Sequence, residues 1–263
     1  GKSQSSTYLD VDEDKIWLTT AKGKFSFFDS RDLENKIFSS DIVETNLDDF
    51  VDFDEFYRDK SSYGVKDILI KDKKIFVSYT NQVKKDCFNI SLLSADLNYN
   101  KLYFNKVFQP SDCVTKIDDD NNYHAIQSGG RIYFYGKNLF LLTQGEFRNR
   151  SLAQNKNSSF GKVLLIDLSK NTSEIVAMGL RNSQGMFYEK KSKYLFLTDH
   201  GPLGGDEINL MKLDVNNSEI INFGWPVSSY GKHYRGKKYE AAPLHKSHVK
   251  YGFEEPIKYF KNS

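Results

Sequence analysis

The chain has 263 residues, of which 39% are hydrophobic and 14% aromatic, and its formal net charge is +2. That balance fits a globular protein with a real core and gives no basis for a nucleic-acid partner. No apolar run approaches the ~20 residues that a membrane span requires.

Phe and Tyr make up most of the aromatic content, which favours strands. In chain order, short apolar or alternating runs predict strands over Lys15–Thr20, Lys24–Asp29, Val65–Ile70, Lys74–Tyr79, Asn89–Leu97 and Leu102–Phe108. Further strands are predicted over Arg131–Tyr135, Asn138–Thr143, Lys162–Asp167 and Lys193–Thr198. Turn residues bound each run, a spacing that argues for a sandwich, barrel or propeller rather than βαβ units. Several strands pair about tight polar breaks, such as KDILI-KDK-KIFVSY and RIYFY-GK-NLFLLT, the up-and-down order of a propeller blade. Ser40–Lys60 is acidic and aromatic and reads as an insertion or a short helix. Cys87 and Cys113 read either as a buried free pair or as a disulfide. The polar start, Gly1–Thr7, reads as that of a cytoplasmic chain or of a mature or trimmed one.

One stretch differs in kind. Within Gly179–Tyr234, Arg181 and Asn182 precede a Gln-Gly turn, a strand ends in Asp199-His200, and a loop follows with the sequence GPLGGDE. Glycine and proline there present backbone carbonyls beside two hard carboxylates, an oxygen-rich set that suits Ca²⁺. Read on composition alone, the same loop is a glycine-rich turn with a solvated acidic pair.

The strings GLRNSQG, DHGPLGGDEIN and NFGWPVSSYGKHY, together with QSGGRIYF, LLTQGEFRNRSLAQ and SFGKVLLID upstream, run in one order and register over about Gln127–Tyr234. In these strings the chain resembles the glucose/sorbosone dehydrogenase family, which includes the soluble PQQ-dependent glucose dehydrogenases and the aldose sugar dehydrogenases. The resemblance implies an all-β fold, a six-bladed β-propeller in a single domain over 1–263, with PQQ and Ca²⁺ as cofactors and a sugar as substrate. It also implies a periplasmic or secreted location. PQQ is a planar tricarboxylate ortho-quinone, so its pocket needs cations, and a Lewis acid assists its reactive carbonyl.

By the resemblance, Arg181 and Asn182 contact the quinone, and Gly201 and Pro202 hold a catalytic calcium through their carbonyls. Glu207 and the main chain at Phe223 resemble a second, structural calcium site. Phe223 stands where the family has Tyr.

Two departures qualify the expectation. By the resemblance the catalytic base is a His at the position of Gln127 or, anchored on QSG instead, of Ile126; Gln127 is then a cofactor contact, and the base is His124, just upstream, or missing. The family also continues about a hundred residues beyond GFEEPI, whereas this sequence stops at Ser263. The propeller is therefore expected to lack its closing blades here, and a missing segment or a second chain is expected to complete it. The rival reading is a binding propeller that keeps the scaffold without turnover. His245 and His248 are expected in a surface loop, and the Lys232–Lys238 run is expected to rim the pocket or face solvent.

Overall fold

The computed structural model describes residues 6–34, 40–53, 63–115, 123–215 and 219–261. They group into two compact units, 1–111 and 112–263.

In the first unit, one sheet takes β1 (Thr7–Asp12), β2 (Lys15–Thr20), β3 (Phe25–Asp29) and β4 (Asp41–Thr45) as an antiparallel meander. A second sheet begins with β5 (Val65–Lys71), β6 (Lys74–Lys84) and β7 (Cys87–Asp96). The short β8 (Lys101–Leu102) then runs parallel to β4, and β9 (Asn105–Phe108) pairs with β7. The β5–β6 turn works without glycine: Asp72 and Lys73 both take left-handed φ, at 51° and 56°, which matches the twist of the flanking strands. Alternate residues face inward, so that Trp17, Phe25, Val65, Val77 and Leu93 share one buried cluster.

The second unit holds β10 (Val114–Thr115), then β11 (Gly129–Gly136), β12 (Leu139–Gln144), β13 (Lys162–Asp167) and β14 (Thr172–Met178). It continues with β15 (Ser183–Glu189), β16 (Tyr194–Asp199) and β17 (Asp206–Lys212), and ends on β18 (Ile221–Asn222) and β19 (Lys258–Phe260). Strands β11 to β14 form one meander, closed by β18 parallel to β14, and β15, β16, β17 and β19 form the next. Leu141, Val163, Leu195, Leu197 and Phe223 pack in the core between these strands.

Successive four-stranded meanders of this kind are the blade pattern of a β-propeller. Two expectations change. The stretch Leu102–Phe108 is two strands, because Asn46 clamps the backbone between them: the Phe104 N–H donates to Asn46 Oδ1 (2.7 Å) and Asn46 Nδ2 to the Phe104 carbonyl (3.2 Å). The stretch Ser40–Lys60 contributes β4 and a 3₁₀ turn at Leu47–Asp49, while residues 54–60 lie outside the described residues. Both cysteines are disulfide-bonded.

Candidate functional site

The site lies in the second unit, where five of the singled-out strings meet. Asp199, at the end of β16, is buried and accepts from two successive amides, Arg181 N (2.8 Å) and Asn182 N (2.7 Å). That aspartate sets the Arg-Asn turn. Asn182 Oδ1 in turn accepts from Gly129 N (3.0 Å), which ties the turn to the start of β11.

A third segment, Gly145–Arg148, is laid against both. Gly145 N donates to the Ser128 carbonyl (2.8 Å), Phe147 N to Gln127 (2.9 Å) and Glu146 N to Arg181 (3.0 Å). A Cβ on Gly145 would stand 2.3 Å from the Gln127 carbonyl oxygen, so only glycine permits this approach. Phe147 and Arg148 follow with φ of 51° and 67°. Two consecutive left-handed side-chain-bearing residues cost roughly 1 kcal/mol or more each, and strain of this kind gathers at functional sites.

These segments enclose a cavity of about 420 Å³, within the roughly 300–1,000 Å³ usual for small-molecule sites. Its walls carry Arg148, Arg150, Arg181, Arg235 and Lys237 against one carboxylate, Glu146. Trp225, Tyr234 and Tyr239 add aromatic surface. The Arg181 guanidinium lies over the Trp225 ring at 5.5 Å, and that of Arg150 over Tyr239 at 4.2 Å. Such a lining suits a flat, multiply anionic ligand.

Glycine again shapes the neighbouring loop. A Cβ on Gly201 would meet the Gly205 carbonyl oxygen at 2.2 Å, so the loop closes on itself only with glycine there. The carbonyls of His200 and Gly201 then converge on one point, occupied by Arg181 Nη1 at 2.8 Å and 2.9 Å.

Of the expected site residues, Gln127, Arg181 and Pro202 line the cavity, and Asn182 stands behind it, holding the turn. Gly201 offers its carbonyl to Arg181. His124 does not line the cavity; it is half-buried, its Nδ1 faces the Ile126 N–H at 3.3 Å, and its own N–H donates to the Phe147 carbonyl.

Glu207 is buried beneath the loop, and Phe223 sits in the core with its N–H on the Met178 carbonyl. Burial, helped by the charges of Asp199, Glu255 and Asp206, pushes Glu207 up to about 8. Among the described residues, no three His, Cys, Asp or Glu side chains are arranged to hold a metal ion.

Sequence reasoning missed several residues. Glu146, Arg148 and Arg150 give no sequence signal beyond lying in the upstream string, and their placement depends on the left-handed backbone after Glu146. His233, Tyr234, Arg235 and Lys237 line the cavity, as expected of a run that rims it. His248 corrects the surface-loop expectation. It is fully buried, 3.7 Å from Glu207 and 3.9 Å from Glu255, where it caps the 3₁₀ turn Val249–Tyr251 and packs its ring against Tyr230 at 5.3 Å.

A blade-patterned all-β fold defines the class: a β-propeller, with a cation-lined cavity in its second unit. The chain belongs to the Glucose / Sorbosone dehydrogenase family, whose sequence profile it matches over residues 12–263. It is 34% identical over 148 residues to the aldose sugar dehydrogenase YliI of Escherichia coli (strain K12); the match takes in 51% of this chain and 38% of that protein, so the chain spans well under half of this curated relative. The crystal structure of the soluble aldose sugar dehydrogenase of Escherichia coli in its apo form superposes with a TM-score of 0.69 at 23% identity, over 98% of this chain and 72% of that one. The PQQ-bound aldose sugar dehydrogenase of Streptomyces coelicolor gives 0.63 at 15%, over 99% and 73%. The fold is therefore that of the glucose dehydrogenase β-propellers. No helix among the described residues is long and apolar enough to cross a membrane.

Proposed function

We propose that this protein is a PQQ- and Ca²⁺-dependent dehydrogenase that oxidises an aldose or a similar polyhydroxylated sugar, in the periplasm or outside the cell. The observation that carries the reading is the excess of cations over carboxylates in a cavity with aromatic walls. A planar tricarboxylate needs both features. The Gly201 carbonyl already faces a cation, the Arg181 guanidinium, and is an oxygen of the kind a calcium would take.

Arg181 would hold a quinone oxygen or carboxylate from beneath, and Asn182 would keep the Arg-Asn turn in register. Gly201 and Pro202 would hold the catalytic calcium. Glu207, in its acidic surroundings, and the Phe223 carbonyl would hold a structural one. When bound, PQQ would supply a two-electron acceptor for the sugar, and Ca²⁺ would supply a Lewis acid beside it. The disulfide-bonded state of both cysteines suits an oxidising compartment.

The rival reading, a binding propeller without turnover, is favoured by Gln127 in place of a base and by the position of His124 outside the cavity lining. Reconstitution of the full-length protein with PQQ and Ca²⁺ separates the two. A bound-quinone spectrum and dye reduction with an aldose panel are expected. No quinone binding would overturn the proposal, and binding without reduction would select the rival.

A further inference from the structure

We propose that Glu146 accepts the sugar hydroxyl proton in this chain, in an acceptor corner it shares with Gln127; the inference rests on the dehydrogenase reading above. Neither oxygen of the Glu146 carboxyl has a hydrogen-bond partner, although the residue is only 1% exposed. Gln127 Oε1, 4% exposed as a residue, is likewise without a donor. Buried acceptors are normally satisfied, and an open one is a place for a ligand's donor.

Both residues line the same cavity, and the main chain fixes them together: the Phe147 N–H donates a hydrogen bond to the Gln127 carbonyl and the Glu146 N–H one to the Arg181 carbonyl. The chemistry of the two ligands then divides the cavity. A polycarboxylate quinone brings acceptors and belongs against the guanidinium groups. A polyhydroxylated sugar brings O–H donors and belongs against Gln127 Oε1 and the Glu146 carboxyl.

The charged groups acting on Glu146 are Arg181, Arg150 and Asp199, with the Arg148 amide beside it. Burial dominates and pushes the carboxyl up to about 7, against the pull of Arg181 and Arg150. A group in that range exchanges a proton with substrate near neutral pH. The other two candidates are engaged elsewhere: His124 faces its own turn, and His233 Nε2 meets the Ala242 carbonyl at 2.7 Å.

In the step, the sugar O–H bond breaks and its proton passes to a Glu146 oxygen. The C–H bond on the same carbon breaks and its hydrogen leaves with the electron pair to the ortho-quinone, and the C–O bond becomes C=O. The aldose is oxidised to its lactone by two electrons, and the quinone takes up the same two.

The test uses the full-length protein and the variants Glu146→Gln, Glu146→Asp, His124→Gln and His233→Gln. In the apoprotein, ¹³C NMR of labelled glutamate is expected to show one carboxyl titrating near neutrality, absent from Glu146→Gln; a Glu146 resonance titrating in the ordinary carboxylate range overturns the proposal. With PQQ and Ca²⁺ bound, single-turnover quinone reduction is expected to fall about 10²–10⁴-fold in Glu146→Gln, with quinone affinity retained. Glu146→Asp should recover part of the rate and keep the rise of rate with pH. A rate within threefold of wild type in Glu146→Gln, or the large loss in His124→Gln or His233→Gln instead, overturns this inference while leaving the dehydrogenase reading standing. A wild-type protein that binds quinone and reduces it with no aldose overturns both.

Discussion

Two buried ionisable side chains in the second unit make opposite use of their burial. Lys162, at the start of β13, has no solvent exposure, and its Nζ donates to the carbonyls of Leu152 (2.8 Å), Ala153 (3.0 Å) and Phe160 (2.6 Å). An ammonium has three N–H donors, and all three are used. Two of those carbonyls belong to the 3₁₀ turn Arg150–Gln154, where Leu152 also accepts from the Asn155 amide and Ala153 from the Gly179 amide. Lys162 therefore holds in place the turn that presents Arg150 to the cavity. Glu146 is as deeply buried, and neither of its oxygens accepts a hydrogen bond from the chain. A satisfied buried charge builds structure, whereas an unsatisfied one on a cavity wall marks where a ligand completes the bonding.

The sharpest way to break this contrast is at Arg181, which belongs to both categories. Its guanidinium holds the His200 and Gly201 carbonyls and also faces the cavity. Arg181→Ala is expected to weaken quinone binding by about 4 kcal/mol, roughly a thousandfold in Kd, measured by spectroscopic titration. An unchanged Kd would mean that the cations do not bind the cofactor carboxylates.

Lys162→Met comes next. It takes the ammonium donor from the Phe160 carbonyl and the second donor from the Leu152 and Ala153 carbonyls, which keep the Asn155 and Gly179 amides, and should cost about 2 kcal/mol, seen as a Tm lower by roughly 4–8 °C. Quinone affinity should fall far less than in Arg181→Ala. The reverse order of effects would place Lys162 in the binding machinery rather than under it.

Glu146→Gln should act on stability with the opposite sign, and only above a certain pH. The folded carboxyl is raised to about 7 by burial, above its ordinary 4.5. The folded state thus holds the proton more tightly than the unfolded chain, so stability falls as pH rises from about 4.5 to 7 and the full penalty applies above 7. The neutral amide carries no such penalty. Urea denaturation of the apoprotein at pH 8 should therefore show the variant gaining about 2 kcal/mol relative to its difference from wild type at pH 4.5. Parallel stabilities at the two pH values would contradict a buried, unpartnered carboxyl.

How much of this was legible in the sequence depended on whether the signal was local. The alternation of Lys15–Thr20 and the Ile-rich pair around KDK appear as strands where they were read, because each strand's own pattern decides its inward face. Leu102–Phe108 misled because a distant side chain, Asn46, captures the Phe104 backbone. Ser183–Glu189 was read as a turn at Gln-Gly, yet it is a bulged strand in which Gly185 makes room for Thr198 Oγ1. At the site, Arg181, Gln127 and Pro202 were reachable through the resembling strings. Glu146 was not: its importance lies in left-handed φ values and in hydrogen bonds it does not make, which leave no mark on residue type.

The smallest effect is the most direct check on the comparison itself. Lys73, in the β5–β6 turn, also makes three short contacts, to Asp12 Oδ1 (3.3 Å), Asp12 Oδ2 (3.0 Å) and Glu13 Oε1 (2.7 Å). By number it matches Lys162, and its partners carry full negative charge where those of Lys162 are neutral carbonyls. Its side chain, however, is 61% exposed. Water serves the ammonium nearly as well as the carboxylates do, and salt screens what remains. Lys73→Ala is therefore expected to leave the urea midpoint close to that of the wild type, and closer still in 0.5 M salt. A loss comparable to that of Lys162→Met would show that contact number, rather than burial of the unsatisfied partner, sets the energy, and would remove the ground on which Glu146 and Lys162 are distinguished.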